Sequence, residues 1–209
     1  MPEGSREITA SRIAVLELKD EQRLVQEGYA LLDEKRILLA AEIQRQLGRL
    51  VALRRECTAL ERDALSRTVS AVGRHGLDEL AVYPPLSLAG DRLSVHRSRL
   101  LGLELLTLHL EIPVQLTRQS EEPVNPTPEA RACAKAHLDL LGRSVELAAC
   151  GVNLRRLVQD YIRTERRAKA IENVLMPEIL STLKLIEEQL ESIEQEEIAR
   201  LRQRRRDLA

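Results

Sequence analysis

Between Val15 and Ala64 the chain repeats every seven residues, and that repeat leaves few ways to fold. With Val15 as position a and Leu18 as position d, the a series reads Val15, Gln22, Tyr29, Arg36, Ile43, Leu50, Cys57 and Ala64. The d series reads Leu18, Val25, Leu32, Leu39, Gln46, Leu53 and Leu60. Twelve of these fifteen positions are apolar, the exceptions being Gln22, Arg36 and Gln46. Apolar residues that recur every 3.5 positions form a narrow stripe on an α-helix, the signature of a coiled coil. A helix over residues 7–75 would be about 100 Å long at roughly 1.5 Å per residue. No small core buries a stripe of that length, so the helix needs another helix along it.

The C-terminal part supplies one. Met176, Ile179, Leu183, Ile186, Leu190 and Ile193 alternate spacings of three and four. Upstream, Leu154, Val158, Tyr161, Ala168 and Leu175 keep a stripe only with a change of phase, so the seam is expected to be looser around Arg155–Glu172, with the register over 140–172 left open. Thr127 followed by Pro128 offers an N-cap and a first helical residue. Pro177 falls inside the pattern, which continues on both sides, so a kink is expected there and not a stop. Two separate helices meeting at Pro177 is the other possibility.

Six of the eight prolines lie from Pro84 to Pro128. They separate three regions: an N-terminal long helix over 7–75, a proline-rich middle over 76–127, and a C-terminal long helix over 128–208. Within the middle, Leu93 and Val95, then Leu106, Leu108, Leu110 and Ile112, alternate with other residues around Gly102. This predicts a β-hairpin over about 91–112. Two strands alone are marginal in water, so the hairpin must lean on something. The fold class expected is mainly α: a long antiparallel two-helix left-handed coiled coil with a small β-hairpin insertion.

Composition fits a thin seam better than a thick core. Hydrophobic residues are 44% of the chain, yet there are three Tyr and no Trp or Phe. The formal net charge is −1, which is no electrostatic footprint for nucleic acid. Cys57, Cys133 and Cys150 are odd in number and widely spaced, so neither a disulfide framework nor a zinc knuckle is expected. No signal core and no apolar run long enough to cross a membrane is seen.

Catalytic chemistry finds no foothold. His75, His96, His109 and His137 make no metal-ligand spacing, although His96 and His109 could face each other across the hairpin. No phosphate-binding glycine loop or nucleophile elbow is present. The glutamates at 187–188 and 194–197 have the pattern of a solvated coiled-coil face. No catalytic residue, cofactor or metal is expected. The sharpest charge feature is the C-terminal run with Arg200, Arg202, Arg204, Arg205 and Arg206. Three readings stand: cations complementing a helix C-terminus, a nucleic-acid patch without the aromatics that usually accompany one, or a basic tip that docks on a protein.

The segment from Leu18 to Ile43 resembles the N-terminal helix of the D subunit of the vacuolar/archaeal-type rotary ATPases, on Leu24, Gly28, Leu31, Leu32, Lys35 and Arg36. The segment from Ala170 to Arg206 is similar to that family's C-terminal helix, on the Ile171–Met176 run, Pro177, Ile179, the acids of 191–197 and Arg200-Leu201-Arg202. Asp33 stands where the family usually has Lys, and Ile37 where it often has Asp, which marks a divergent member. The resemblance implies a non-catalytic central-stalk rotor. It would sit in the hexamer of A and B subunits, pair with the small F subunit, and stand on the funnel-shaped subunit that caps the membrane ring. ATP hydrolysis or synthesis would thereby be coupled to proton or sodium translocation, with the chain cytoplasmic and peripheral to the membrane. Lys35, Arg36 and the five C-terminal arginines would be its partner-binding residues. The stalk of a type III secretion ATPase and a non-motor cytosolic scaffold are the alternatives; the first is usually a plain helical hairpin without a β insert.

Overall fold

The computed structural model describes residues 11–81, 93–110 and 127–207. The expected helical residues 7–10 and 208, the outer ends of the hairpin and the prolines from 84 to 126 lie outside them. The order of elements is α1 (Arg12–Ala81), β1 (Leu93–Leu100), β2 (Leu103–Leu110), α2 (Pro128–Ala170), a π-helical turn (Ile171–Leu175) and α3 (Met176–Asp207). The chain is mainly helical, with one two-stranded antiparallel sheet between the long helices.

Each helix begins and breaks for a local reason. Ser11 caps α1: its Oγ accepts from the Ala14 N–H at 3.1 Å. At Gly76 the backbone leaves the helical region, with φ 76° and ψ 167°, a conformation that strains any residue carrying a Cβ. Thr127 caps α2, its Oγ1 accepting from the Ala130 N–H at 3.4 Å, and Pro128 occupies the first helical position, where its missing N–H costs nothing. Around the interior proline the backbone widens: the turn before it is π, and the Met176 N–H bonds the Ile171 carbonyl. Helical structure then continues directly through Pro177.

The chain falls into two compact units, Met1–Leu38 with Tyr161–Ala209, and Leu39–Asp160. In the first, Arg12 pairs with Glu194 at 2.7 Å and Lys19 with Glu187 at 2.9 Å, so the two helical segments run antiparallel. Ala14 and Leu18 are buried on one segment, and Thr164, Ala168, Ile179 and Ile186 on the other. In the second, the contacts Gln46 to Cys150, Glu56 to Arg143, Thr68 to Cys133 and Arg74 to Glu129 again advance on one helix while retreating on the other. Its seam is built from Leu39, Leu53, Cys57, Ala64 and Ala71 against Ala136, Ala149, Cys150 and Leu157. Leu39, Leu157 and Ile186 are fully buried, each such side chain contributing about 1.5–3 kcal/mol.

All fifteen heptad positions of α1 are buried or half-buried. Past Ala64 the inward residues become Thr68, Ala71 and His75, a step of four in place of three that shifts the seam to a new phase. On α2 the expected looseness is corrected as far as Ala168, while no residue of the π turn at Ile171–Leu175 is buried. The seam passes through Leu157, Tyr161, Thr164 and Ala168, of which all but the half-buried Tyr161 are buried; Val158 is 37% exposed. Small and hydroxyl side chains occupy the buried positions 164 and 168, and a count of large apolar residues overlooks them. Ile193 is corrected too. It is 47% exposed, at the level where Arg12 pairs with Glu194.

The hairpin turns on Leu101 and Gly102, with φ 51° and 84°. Two positive values in a two-residue loop match the twist of paired strands. The register sets Leu100 against Leu103 and Leu93 against Leu110. His96 lies opposite Thr107, and His109 opposite Ser94, so the two histidines, which could have faced each other, are diagonal neighbours.

Candidate partner-binding surface

The cationic residues singled out from the sequence occupy two separate places. Arg200, Arg202, Arg204, Arg205 and Arg206 lie on the last turns of α3, all exposed. Arg200 pairs with Glu196 at 3.5 Å, an exposed i,i+4 pair of little energetic weight. Lys35 and Arg36 lie on α1 and are half-buried. Arg36 donates to Asp33. Lys169, 2.9 Å from Glu165, holds that carboxyl below its ordinary range, with a smaller contribution from Arg36. Arg36 is thus a heptad position whose charge is compensated within the chain. Roughly 50 Å of helix, at about 1.5 Å per residue, separates Glu165 from Arg200, so the two groups cannot form one site.

Sequence periodicity passed over a second stripe. Leu24, Leu31 and Leu38 share heptad position c, outside the seam, and Leu24 and Leu31 are 69% and 68% exposed. Gly28 sits one helical turn from each of these two. A Cβ placed on Gly28 would meet nothing within 4 Å, so no packing inside this chain requires a glycine there. A mid-helix glycine costs about 1 kcal/mol relative to Ala. A bare backbone beside two exposed leucines instead suits the close approach of another chain. The signal was present as apolar residues recurring every seven positions out of phase with the seam. At the far end of α3, Ile198 and Leu201 are exposed among the charges.

Several polar groups between the helices are paired. His75 Nε2 and Thr127 Oγ1 lie 2.6 Å apart, tying the residue before the Gly76 break to the cap of α2. The buried Gln46 side chain donates to Glu42 at 2.8 Å, while the Cys150 thiol faces the Gln46 carbonyl and amide oxygens at 3.5 Å. Arg45, and then Gln46, hold the Glu42 carboxyl below its ordinary range against the opposing effect of burial. Burial pushes the Cys150 thiol up, only partly opposed by Arg49.

The hairpin is fastened to α2 through one edge of β2. Asn153 accepts from the Leu106 N–H at 2.8 Å and donates to the Leu106 carbonyl at 2.6 Å. Arg156 donates to the Glu104 carbonyl at 2.8 Å. None of these clamps is recognisable from the sequence, where Asn153 looks like a poor helix residue.

Two hollows lie among the described residues. A cavity of about 10 Å³ between Gln46, Leu108, Glu146 and Cys150 holds no more than one water. A cleft of about 440 Å³ is lined by Val15, Leu16 and Leu190 together with Arg12 and three glutamates. Among the described residues no group of three or more His, Cys, Asp or Glu is placed to hold a metal. No helix among them is long and apolar enough to cross a membrane.

Comparison with known proteins gives a consistent result. The profile of the family of ATP synthase D subunits matches residues 14–205. The D subunit of the A-type ATP synthase of Pyrococcus horikoshii is 28% identical over 209 residues, covering 97% of this chain and 94% of that protein. The corresponding protein of Pyrococcus abyssi is 26% identical over the same span. The D subunit of the V-type ATP synthase of Thermotoga neapolitana is 23% identical over 207 residues, covering 97% and 98%.

Proposed function

Because the chain belongs to the family of ATP synthase D subunits found in A- and V-type enzymes, we propose that it is the central rotor shaft of such an ATPase. It occupies the axis of a hexamer of A and B subunits, with the small F subunit at its side and a funnel-shaped subunit linking it to the membrane ring. ATP hydrolysis or synthesis in the hexamer is coupled through it to proton or sodium movement. The shaft is a non-catalytic, peripheral part of the complex. The observation that carries this reading is the family match along both long helices and the hairpin between them, over residues 14–205.

The physical character of the chain supports it. A shaft acts through stiffness and through different contacts with inequivalent neighbours; a part shifts a conformational equilibrium only by contacting its states differently. Long paired helices supply stiffness. The exposed leucines around Gly28 and the basic end of α3, with Ile198 and Leu201, supply surfaces for the ring. Co-expression with A and B subunits should give a hexamer holding one copy of this chain, read by native mass spectrometry. A chain that never co-purifies overturns the proposal. Deletion of residues 200–209 should weaken hexamer docking and spare binding of the F subunit. Unchanged docking would return the arginines to a helix-end role.

A further inference from the structure

The two edges of the hairpin are treated differently. Leu106 spends both its N–H and its carbonyl on Asn153. Those groups therefore point away from β1, which makes Leu106 and its partner Arg97 a pair without ladder bonds. Alternation then fixes every other pair. Ser94, His96, Ser98 and Leu100 exchange bonds with β2, while the backbone groups of Val95, Arg97 and Arg99 point outward from β1. The two-residue turn at Leu101 and Gly102 independently requires Leu100 and Leu103 to be a bonded pair, in agreement.

The outward groups of β2 at Glu104 and Leu106 are thus met by side chains of α2. Those of Val95, Arg97 and Arg99 meet no hydrogen-bond partner among the described residues. An edge strand of eight residues with open backbone groups is a template for another strand. Its side chains specify the kind of strand. Arg97 and Arg99 stand on one face with Leu93 and Val95, which are 43% and 45% exposed, and β1 carries no carboxylate. Across the ladder only Glu104 offsets this charge, at 3.3 Å from Arg97. Arg99 makes no ion pair among the described residues.

We propose that the outer edge of β1 receives an extended acidic segment of a partner protein in the assembled ATPase as a third strand. Carboxylates at alternate positions of that segment meet Arg97 and Arg99, and apolar residues cover Leu93 and Val95. The inference rests on the shaft reading for the source of the partner. The ladder phase and the charge of the edge are independent of it.

Residue-resolved hydrogen–deuterium exchange, on the isolated chain and on the assembled ATPase, tests it. Assembly should slow the amides of Val95, Arg97 and Arg99 by about tenfold or more, on the scale of a newly made backbone bond. The amides of His96 and Ser98, already bonded to β2, should not change. Val95→Pro removes an outward N–H and leaves the ladder whole; it should abolish the slowing at Arg97 and Arg99. Arg97→Glu with Arg99→Glu should do the same, although glutamates defend an edge against aggregation as well as arginines do. An assembled complex in which the three amides exchange as in the free chain overturns the inference and leaves the shaft reading intact. So does slowing of all the strand's amides without alternation, or slowing that survives the charge reversal. Failure of the chain to assemble overturns both.

Discussion

Asn153 occupies a helix, yet its amide completes the edge of a strand. It supplies one donor and one acceptor to the Leu106 backbone. Replacing it by Ala leaves the N–H and carbonyl of Leu106 without partners, at a cost of about 1–3 kcal/mol. Asn153→Ala should therefore lower stability to urea by about that amount and release the Leu106 amide to exchange; an unchanged Leu106 amide would refute the clamp. Residues of this kind were the least legible in the sequence. The bond from Asn153 to Leu106 spans 47 positions. His75, Gln46 and Thr164 likewise interrupt an apolar pattern until their surroundings are known. A polar side chain in a seam is a fault or a fastening according to its partner, and the partner is far away in sequence.

At the scale of elements the sequence was more informative, because periodicity is a property of many residues at once. The heptad of α1, the Thr127 cap and the alternation that marks the hairpin all depend on local spacing. The seam of α2 was harder to read, since Thr164 and Ala168 carry no hydrophobic signal of their own. The hairpin turn contains a conflict that can be tested. Leu101 is held at φ 51°, where a side chain with a Cβ costs about 1–2 kcal/mol. Asn tolerates that conformation and is the favoured residue before Gly in such turns. Leu101→Asn should stabilise the hairpin by roughly 1 kcal/mol, and slow exchange of the His96 and Ser98 amides about fivefold. Faster exchange would mean that the half-buried Leu101 side chain contributes more than its backbone conformation costs.

For the molecule as a whole, stability and assembly place opposite demands on Gly28. Nothing lies within 4 Å of a Cβ built there, so Gly28→Ala should stabilise the isolated chain, by about 0.5–1 kcal/mol. If the stripe of Leu24, Gly28 and Leu31 approaches another protein closely, the same methyl group should weaken binding to the hexamer. A rise in melting temperature together with weaker co-purification is the expected outcome. Improved stability with unchanged assembly would remove this stripe from the interface. The family was legible from motifs on the two helices, whereas the arrangement of the surface was not. Lys35 and Arg36 read as equivalent to the C-terminal arginines when only charge is visible. Arg36 proves to be half-buried and offset by its own neighbours.

The π turn over Ile171–Leu175 gives this helix a tolerance in length. A π turn is how a helix accommodates one surplus residue without giving up the helix on either side. It lies next to a proline that needs one hydrogen bond fewer than its neighbours. When relatives of this chain are aligned, a single-residue gap between Ala170 and Pro177 is a change that this helix can gain or lose without unravelling.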